Sequence, residues 1–176
     1  MFAVMGAAIP PPTKGEQARA VFADALPVYL EALANLDPSS PCARYTGRGE
    51  VGFWIRRDAI ELALHASDVA DALGLAYEIS SQRASDAIDE TIEFALPMAL
   101  SVLARNAPAP CMLSPDDAPE RMLGEGAEPA ALLRGSAHSL LLALWGRGTV
   151  EVEGDENAAR AWTGLIEEAF RGPATQ

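Results

Sequence analysis

The segment of residues 50–73 constrains the fold of this chain most strongly, because it has the clearest helical pattern in the sequence. On a helical wheel of roughly 100° per residue, Glu61, His65 and Asp68 fall on one stripe. Apolar residues flank this stripe on both sides: Ile55, Leu62, Val69 and Leu73 on one, and Ile60 and Leu64 on the other. The opposite face, predicted to meet solvent, holds Arg56, Ala59, Ala63, Ser67 and Ala70. The polar stripe is therefore predicted to face the interior, where its side chains are costly unless they bind a ligand or one another.

The spacing of Glu61 and His65 suits a metal ion. Residues four apart lie about one turn apart on the same helix face, so a carboxylate oxygen and an imidazole nitrogen can reach one divalent ion. Zinc, iron, nickel or manganese would accept such ligands. Asp68 lies three residues beyond His65 and is predicted to orient its second ring nitrogen. Two ligands do not complete a site, and a hydrogen-bonded Glu61–His65 pair without a metal is the alternative.

The rest of the sequence predicts an α+β fold. Helical patterns cover residues 16–36 and 81–106, each with an internal proline that threatens a kink. The string APAP at residues 107–110 indicates a linker, and the composition changes after it. We therefore predict two domains, a partial helical bundle over residues 1–107 and a small α+β domain over residues 108–176.

The part after the linker is predicted to form a small sheet with helices. Candidate strands lie at residues 111–113, 121–123, 130–133 and 149–153. Asp155 is a predicted N-cap for a final helix over residues 156–170. Before the linker, the Gly-rich run GRGEVG at residues 47–52 lacks phosphate-loop spacing and is predicted to be a loop that enters the helix of residues 50–73.

The charge of the chain limits its partners. A net charge of −12 disfavours nucleic acid and anionic membrane surfaces, since both require clustered Lys and Arg. No apolar run reaches the length of about 18 residues that a membrane span needs, and the N-terminus lacks the basic region of a secretion signal. We therefore predict a cytoplasmic protein that binds a small-molecule substrate. Cys42 and Cys111 are predicted to be reduced thiols, with a disulfide left open.

Two motifs resemble one known family. The string FWIRRDAIELALHASDVADALG at residues 53–74 resembles the third-helix signature of the mycothiol-dependent maleylpyruvate isomerases. The string LRGSAHSLLLALWGR at residues 133–147, followed by VEVEGDE at residues 150–156, resembles the sterol-carrier-like C-terminal domain of the same family. The resemblance implies a DinB-like helical bundle with a metal site, followed by a small sheet domain.

The resemblance also implies a set of functional residues. Family members bind a divalent metal, here expected to be zinc, through a His of the second helix and the Glu and His of the third; the last two correspond to Glu61 and His65. The metal holds the thiol of mycothiol as a thiolate, which adds to a cis-enedioate such as maleylpyruvate and leaves as the trans isomer forms. Arg147 is the candidate for binding the substrate carboxylate; a helix C-terminal arginine interacting with the helix dipole is the alternative.

The chain departs from the family pattern at its start. The segment that carries the first His ligand in relatives has no counterpart here, so the resemblance implies an N-terminally truncated bundle. The other histidine, His138, is expected to be a helix-start residue rather than a ligand. A truncated bundle would expose apolar helix faces and favour a homodimer. The sequence therefore leaves two functions open, a metal- and mycothiol-dependent isomerase or thiol transferase, and a non-catalytic dimeric relic or binding module.

Overall fold

The computed structural model describes residues 14–45 and 47–170. The chain packs as two compact units, one ending at Asp58 and the other beginning at Ala59. The predicted α+β fold is confirmed, with helices in the N-terminal part and a small sheet domain after them. The predicted domain boundary between residues 107 and 108 stays a prediction.

The first unit contains a long helix and a hairpin. Its elements are α1 (Gly15–Ala34), β1 (Pro41–Ala43), β2 (Arg48–Glu50) and the start of α2 (Val51–Ala72). Helix α1 continues through Pro27, and none of its residues is buried. Tyr29 of α1 donates a hydrogen bond to Asp58 at 2.7 Å, which raises the pKa of the tyrosine.

The hairpin corrects one sequence prediction. Residues 47–52 were predicted to be a loop, whereas Arg48–Glu50 forms strand β2, antiparallel to β1. Gly47 permits the reversal, because its φ of +84° is readily adopted only by glycine. The Gly-rich composition thus marks the turn of a hairpin, and helix α2 begins directly after β2 at Val51.

The second unit begins within α2 and continues into an interrupted helix. Its α-helical parts are α3 (Ser81–Glu90) and α4 (Leu96–Leu103), joined by a π-helical turn (Thr91–Ala95). Pro97 accounts for the interruption, because it lacks an N–H group and its ring clashes with the carbonyl four residues earlier. The predicted helix of residues 81–106 is therefore present from Ser81 to Leu103, with a wider π-helical turn just before its proline.

A mixed four-stranded sheet follows, in the order β4-β3-β5-β6. The elements from here to the C-terminus are β3 (Cys111–Pro115), β4 (Arg121–Leu123), β5 (Ala131–Gly135), α5 (Ala137–Leu144), β6 (Glu151–Gly154), α6 (Glu156–Thr163) and α7 (Leu165–Phe170). Strands β3 and β5 are parallel, while the two edge pairings are antiparallel. All four predicted strands are present, and Asp155 caps α6 as predicted by accepting bonds from Asn157 and Ala158.

The core of this unit lies between the sheet and its helices. Helix α3 packs on α5, and α4 packs on α7. Buried leucines of strands and helices fill the space between these layers: Leu113, Leu123, Leu133, Leu140, Leu141 and Leu144. The core therefore includes helices from both sides of the APAP linker, which gives helix α5 a fixed position beside α3.

The two cysteines are free and differ in burial. Cys111 lies in the core at 0% exposure, and burial raises the pKa of its thiol, whereas Cys42 is partly exposed. Since only the thiolate is a good nucleophile, we expect Cys42 to react readily with an alkylating reagent near pH 8 and Cys111 to react only after unfolding. Mass spectrometry of timed alkylation reactions measures this. Equal labelling of both cysteines in the native protein would contradict the core assignment.

Candidate metal site

The C-terminal half of α2 presents the residues of the candidate site. The helix ends through a Schellman motif, in which Leu75 donates to the carbonyl of Ala70 at 2.9 Å and Gly74 donates to that of Asp71 at 3.0 Å. Gly74 adopts a φ of +65°, in agreement with its predicted position at the helix end. The residues from Glu61 onward thus lie on regular helix up to a defined end.

The orientation predicted for α2 is wrong. One apolar flank is buried, with Ile60 at 5% and Leu64 at 1% exposure. The other flank is exposed: Leu62 at 52%, Val69 at 59% and Leu73 at 65%. Ala70, on the face predicted to meet solvent, is buried. The unit covers α2 from the Ile60 side alone, so the polar stripe lies at the border of the buried face rather than at its centre.

Glu61, His65 and Asp68 form a continuous chain of contacts. The Nε2 atom of His65 lies 3.5 Å from an Oε2 oxygen of Glu61, and its Nδ1 atom lies 3.2 Å from Oδ2 of Asp68. The two carboxylates therefore occupy opposite sides of one imidazole ring. The His65 side chain is 65% exposed, so a ligand from solvent has access to the ring.

Arg147 reaches this chain of contacts from the end of helix α5. The sequence Trp145-Gly146-Arg147 forms a second Schellman motif, in which Arg147 donates to the carbonyl of Leu142 at 2.8 Å and Gly146 donates to that of Ala143 at 3.0 Å. Gly146 has a φ of +71°. The indole N–H of Trp145 donates to the hydroxyl of Thr91 at 3.0 Å and fixes this end of α5 against the π-helical turn.

Arg147 binds Asp68 through two hydrogen bonds. Its Nε donates to Oδ1 at 2.6 Å and its Nη2 donates to Oδ2 at 2.9 Å, while Nη1 donates to the carbonyl of Trp145 at 3.1 Å. The arginine holds the pKa of the Asp68 carboxyl below its ordinary value, and His65 adds to this effect. In turn, the hydrogen bonds that Arg147 donates to Asp68, together with the nearby charges of Asp68 and Glu61, raise the pKa of Arg147.

The donor atoms fit two positions of a metal ion. Two ligands of a tetrahedral zinc, each about 2.1 Å from the ion, lie about 3.4 Å apart. The Glu61 and His65 donor atoms are 3.5 Å apart, so both can bind one ion with little movement. Asp68 contacts the far side of the ring and cannot share that ion. Accordingly, the described residues contain no group of three or more His, Cys, Asp and Glu side chains placed to hold a metal.

Comparison with known protein families gives a match for the segment that contains the candidate site. Residues 2–70 match the model of the mycothiol maleylpyruvate isomerase N-terminal domain. This match supports the assignment of the segment to the mycothiol maleylpyruvate isomerase family. The match contains Glu61, His65 and Asp68, and it confirms the family resemblance seen in residues 53–74.

The remainder of the chain has no assigned relative. No curated protein and no solved structure matches the chain significantly. The resemblance of residues 133–156 to the family's C-terminal domain therefore stays a prediction, as does the N-terminal truncation. None of the helices in the described part of the chain has the length and apolar character needed to cross a bilayer.

Sequence reasoning did not predict the contact between Arg147 and Asp68. The two residues are 79 positions apart in the chain, so no spacing argument connects them. The only local signal is the Gly that precedes Arg147, which marks a helix end and a reversal of the chain. His138 lies near the start of α5, as predicted, and its Nδ1 accepts a hydrogen bond from the backbone N–H of Ile79 at 3.2 Å.

Replacing Gly146 by alanine tests the turn that delivers Arg147. A side chain at this φ is strained, and the added Cβ would lie 2.9 Å from Oε2 of Glu167. We expect Gly146→Ala to lower the free energy of unfolding by about 1–2 kcal/mol, measured by urea denaturation. Gly148→Ala is the control, because Gly148 has a φ of +91° with nothing within 4 Å. If Gly146→Ala is no less stable than Gly148→Ala, crowding of the added Cβ against Glu167 contributes nothing to the loss of stability.

Proposed function

We propose that this protein is a metal- and mycothiol-dependent isomerase or thiol transferase, with the metal held by Glu61 and His65. The observation that carries the proposal is the 3.5 Å separation of the two donor atoms, within a segment that matches the mycothiol maleylpyruvate isomerase N-terminal domain. A lone Glu–His pair four residues apart is common, but here the second ring nitrogen also has a carboxylate partner. That arrangement is typical of histidines that bind zinc.

The residues of the chain prepare the site for an incoming thiol. Asp68, kept ionised by Arg147, accepts the Nδ1 proton of His65, so the ring directs the lone pair of Nε2 toward Glu61. A bound divalent metal would lower the pKa of a coordinated thiol and so supply a thiolate at neutral pH. The exposed His65 ring leaves room for mycothiol and for a second substrate.

The reaction we propose conserves all atoms. The mycothiol thiolate adds to one carbon of the double bond of a cis-enedioate such as maleylpyruvate, and the π electron pair moves onto the adjacent carbonyl as an enolate. The carbon–carbon bond next to the sulfur, now single, rotates. The enolate electron pair then re-forms the carbon–carbon double bond in the trans form, as the sulfur leaves as a thiolate with the electron pair of its carbon–sulfur bond. A thiol transferase would share the first step and retain the new carbon–sulfur bond.

The site requires ligands beyond Glu61 and His65. A catalytic zinc usually has three protein ligands and one open position. We propose that water, the thiol or a second copy of the chain supplies the rest.

The exposed apolar flank of α2, with Leu62 and Val69 beside His65, favours a homodimer. The same flank supports the alternative function, a non-catalytic dimeric binding module in which Glu61 and His65 pair with each other and hold no metal. A cytoplasmic location is also proposed and agrees with the two free cysteines.

Metal analysis of the purified chain tests the proposal. We expect stoichiometric zinc in the wild-type protein after zinc loading and gel filtration, and background zinc in His65→Ala. His138→Ala is the matched control, because it removes the other histidine of the chain and a hydrogen bond to Ile79 but no proposed ligand. It should keep its zinc while losing about 1 kcal/mol of stability.

The outcomes separate the two functions. Zinc that is lost only in His65→Ala supports the enzyme, and light scattering then shows whether a second copy is needed. A wild-type protein without zinc contradicts the enzyme proposal, and a dimeric mass would then favour the binding module.

A further inference from the structure

We propose that Arg147 is a positioning residue: acting through Asp68, it fixes His65 in the tautomer that leaves Nε2 free to bind a metal. The purpose of this arrangement rests on the proposed function. Its existence rests on geometry alone, since Arg147, Asp68, His65 and Glu61 follow one another in an unbroken series of contacts. This role differs from the substrate-binding role that sequence resemblance implies for Arg147.

The tautomer of His65 matters because its ring lies between two carboxylates. A neutral imidazole has one N–H group, which can point either to Asp68 through Nδ1 or to Glu61 through Nε2. If the proton is on Nε2, the lone pair that a metal needs is lost. The Nδ1 atom lies at hydrogen-bond distance from Asp68, 3.2 Å, and Arg147 holds that carboxylate through two hydrogen bonds, so we assign the proton to Nδ1.

Arg147 determines how strongly Asp68 can hold that proton. The Asp68 side chain is 40% exposed, and a contact between two exposed side chains three residues apart is weak by itself. The two hydrogen bonds from Arg147 fix both carboxylate oxygens, and one of these oxygens, Oδ2, is the one that faces His65. A lysine has no planar pair of donors and cannot fix the carboxylate in this way.

The other histidine provides an internal reference. His138 accepts a hydrogen bond from the backbone N–H of Ile79 at its Nδ1 atom, so its own proton must lie on Nε2. The two histidines of the chain are therefore expected to have opposite tautomers. Because both belong to the same unit, a change confined to His65 cannot arise from general unfolding.

Nitrogen-15 NMR of the metal-free full-length protein tests the inference at about pH 8, where an ordinary histidine is neutral. Two-bond proton–nitrogen correlations distinguish a protonated from an unprotonated ring nitrogen. In the wild type we expect the proton on Nδ1 of His65 and on Nε2 of His138. In Arg147→Lys and Asp68→Asn we expect His65 to become a mixture or to change to the Nε2 proton, with His138 unchanged.

The matched control is Arg121→Lys. Arg121 binds Asp89 in the same two-bond geometry, at 2.5 Å and 3.0 Å, with a similar side-chain exposure of 28% against 27% for Arg147. The hydrogen bonds that the structure shows for the Arg121 side chain are with Asp89 and the carbonyl of Glu120, and none is with a histidine. We therefore expect Arg121→Lys to leave both tautomers as in the wild type, although it removes an equivalent ion pair.

Zinc affinity, measured by competition with a chelator, provides the second measurement. We expect Arg147→Lys and Asp68→Asn each to weaken zinc binding about 10- to 100-fold, and the double variant to be no weaker than the worse single variant. A wild-type tautomer in Arg147→Lys, or a change of equal size in Arg121→Lys, would overturn the inference. If the wild type binds no zinc but the tautomers change as expected, the positioning role stands and the proposed function fails.

Discussion

The bidentate contact between Arg147 and Asp68 is the interaction on which the candidate site depends. It joins the last turns of helix α2 to the segment that follows α5, and it is the only link in the series of contacts that comes from a distant part of the chain. Because the two side chains are 27% and 40% exposed, the pair contributes little to stability, about 1 kcal/mol at most. Its importance is positional. It holds the Asp68 carboxylate against Nδ1 of His65, and Nε2 on the other side of the ring is left to face Glu61.

The local elements of the chain could be predicted from the sequence because their causes are local. The helix of residues 51–72, its glycine end and the Asp155 cap all follow from side chains within one or two turns. The spacing of Glu61 and His65 likewise identified two donor atoms that do lie close together. The hairpin of residues 41–50 is not predictable from its composition, because glycines are equally typical of a loop and of a turn between two paired strands.

Features that depend on packing could not be predicted. Both flanks of α2 are apolar, and only the position of neighbouring helices decides that Leu64 is buried and Leu62 exposed. The partner of Asp68 comes from a residue 79 positions later, which no periodicity reveals. The family resemblance directed attention to Arg147 but implied a role in binding substrate, whereas the contacts of its guanidinium group are with Asp68 and a backbone carbonyl.

The central claim is that Glu61 and His65 bind a metal that also binds a thiol. Cobalt substitution tests it most directly, because cobalt(II) accepts the same nitrogen, oxygen and sulfur ligands as zinc and absorbs light. Mycothiol is added to the cobalt-loaded protein, and the thiolate-to-cobalt charge-transfer band is recorded in the near ultraviolet. We expect a saturable band in the wild type that is absent in Glu61→Gln. Cobalt binding without this band, or a band of equal intensity in Glu61→Gln, would contradict the account.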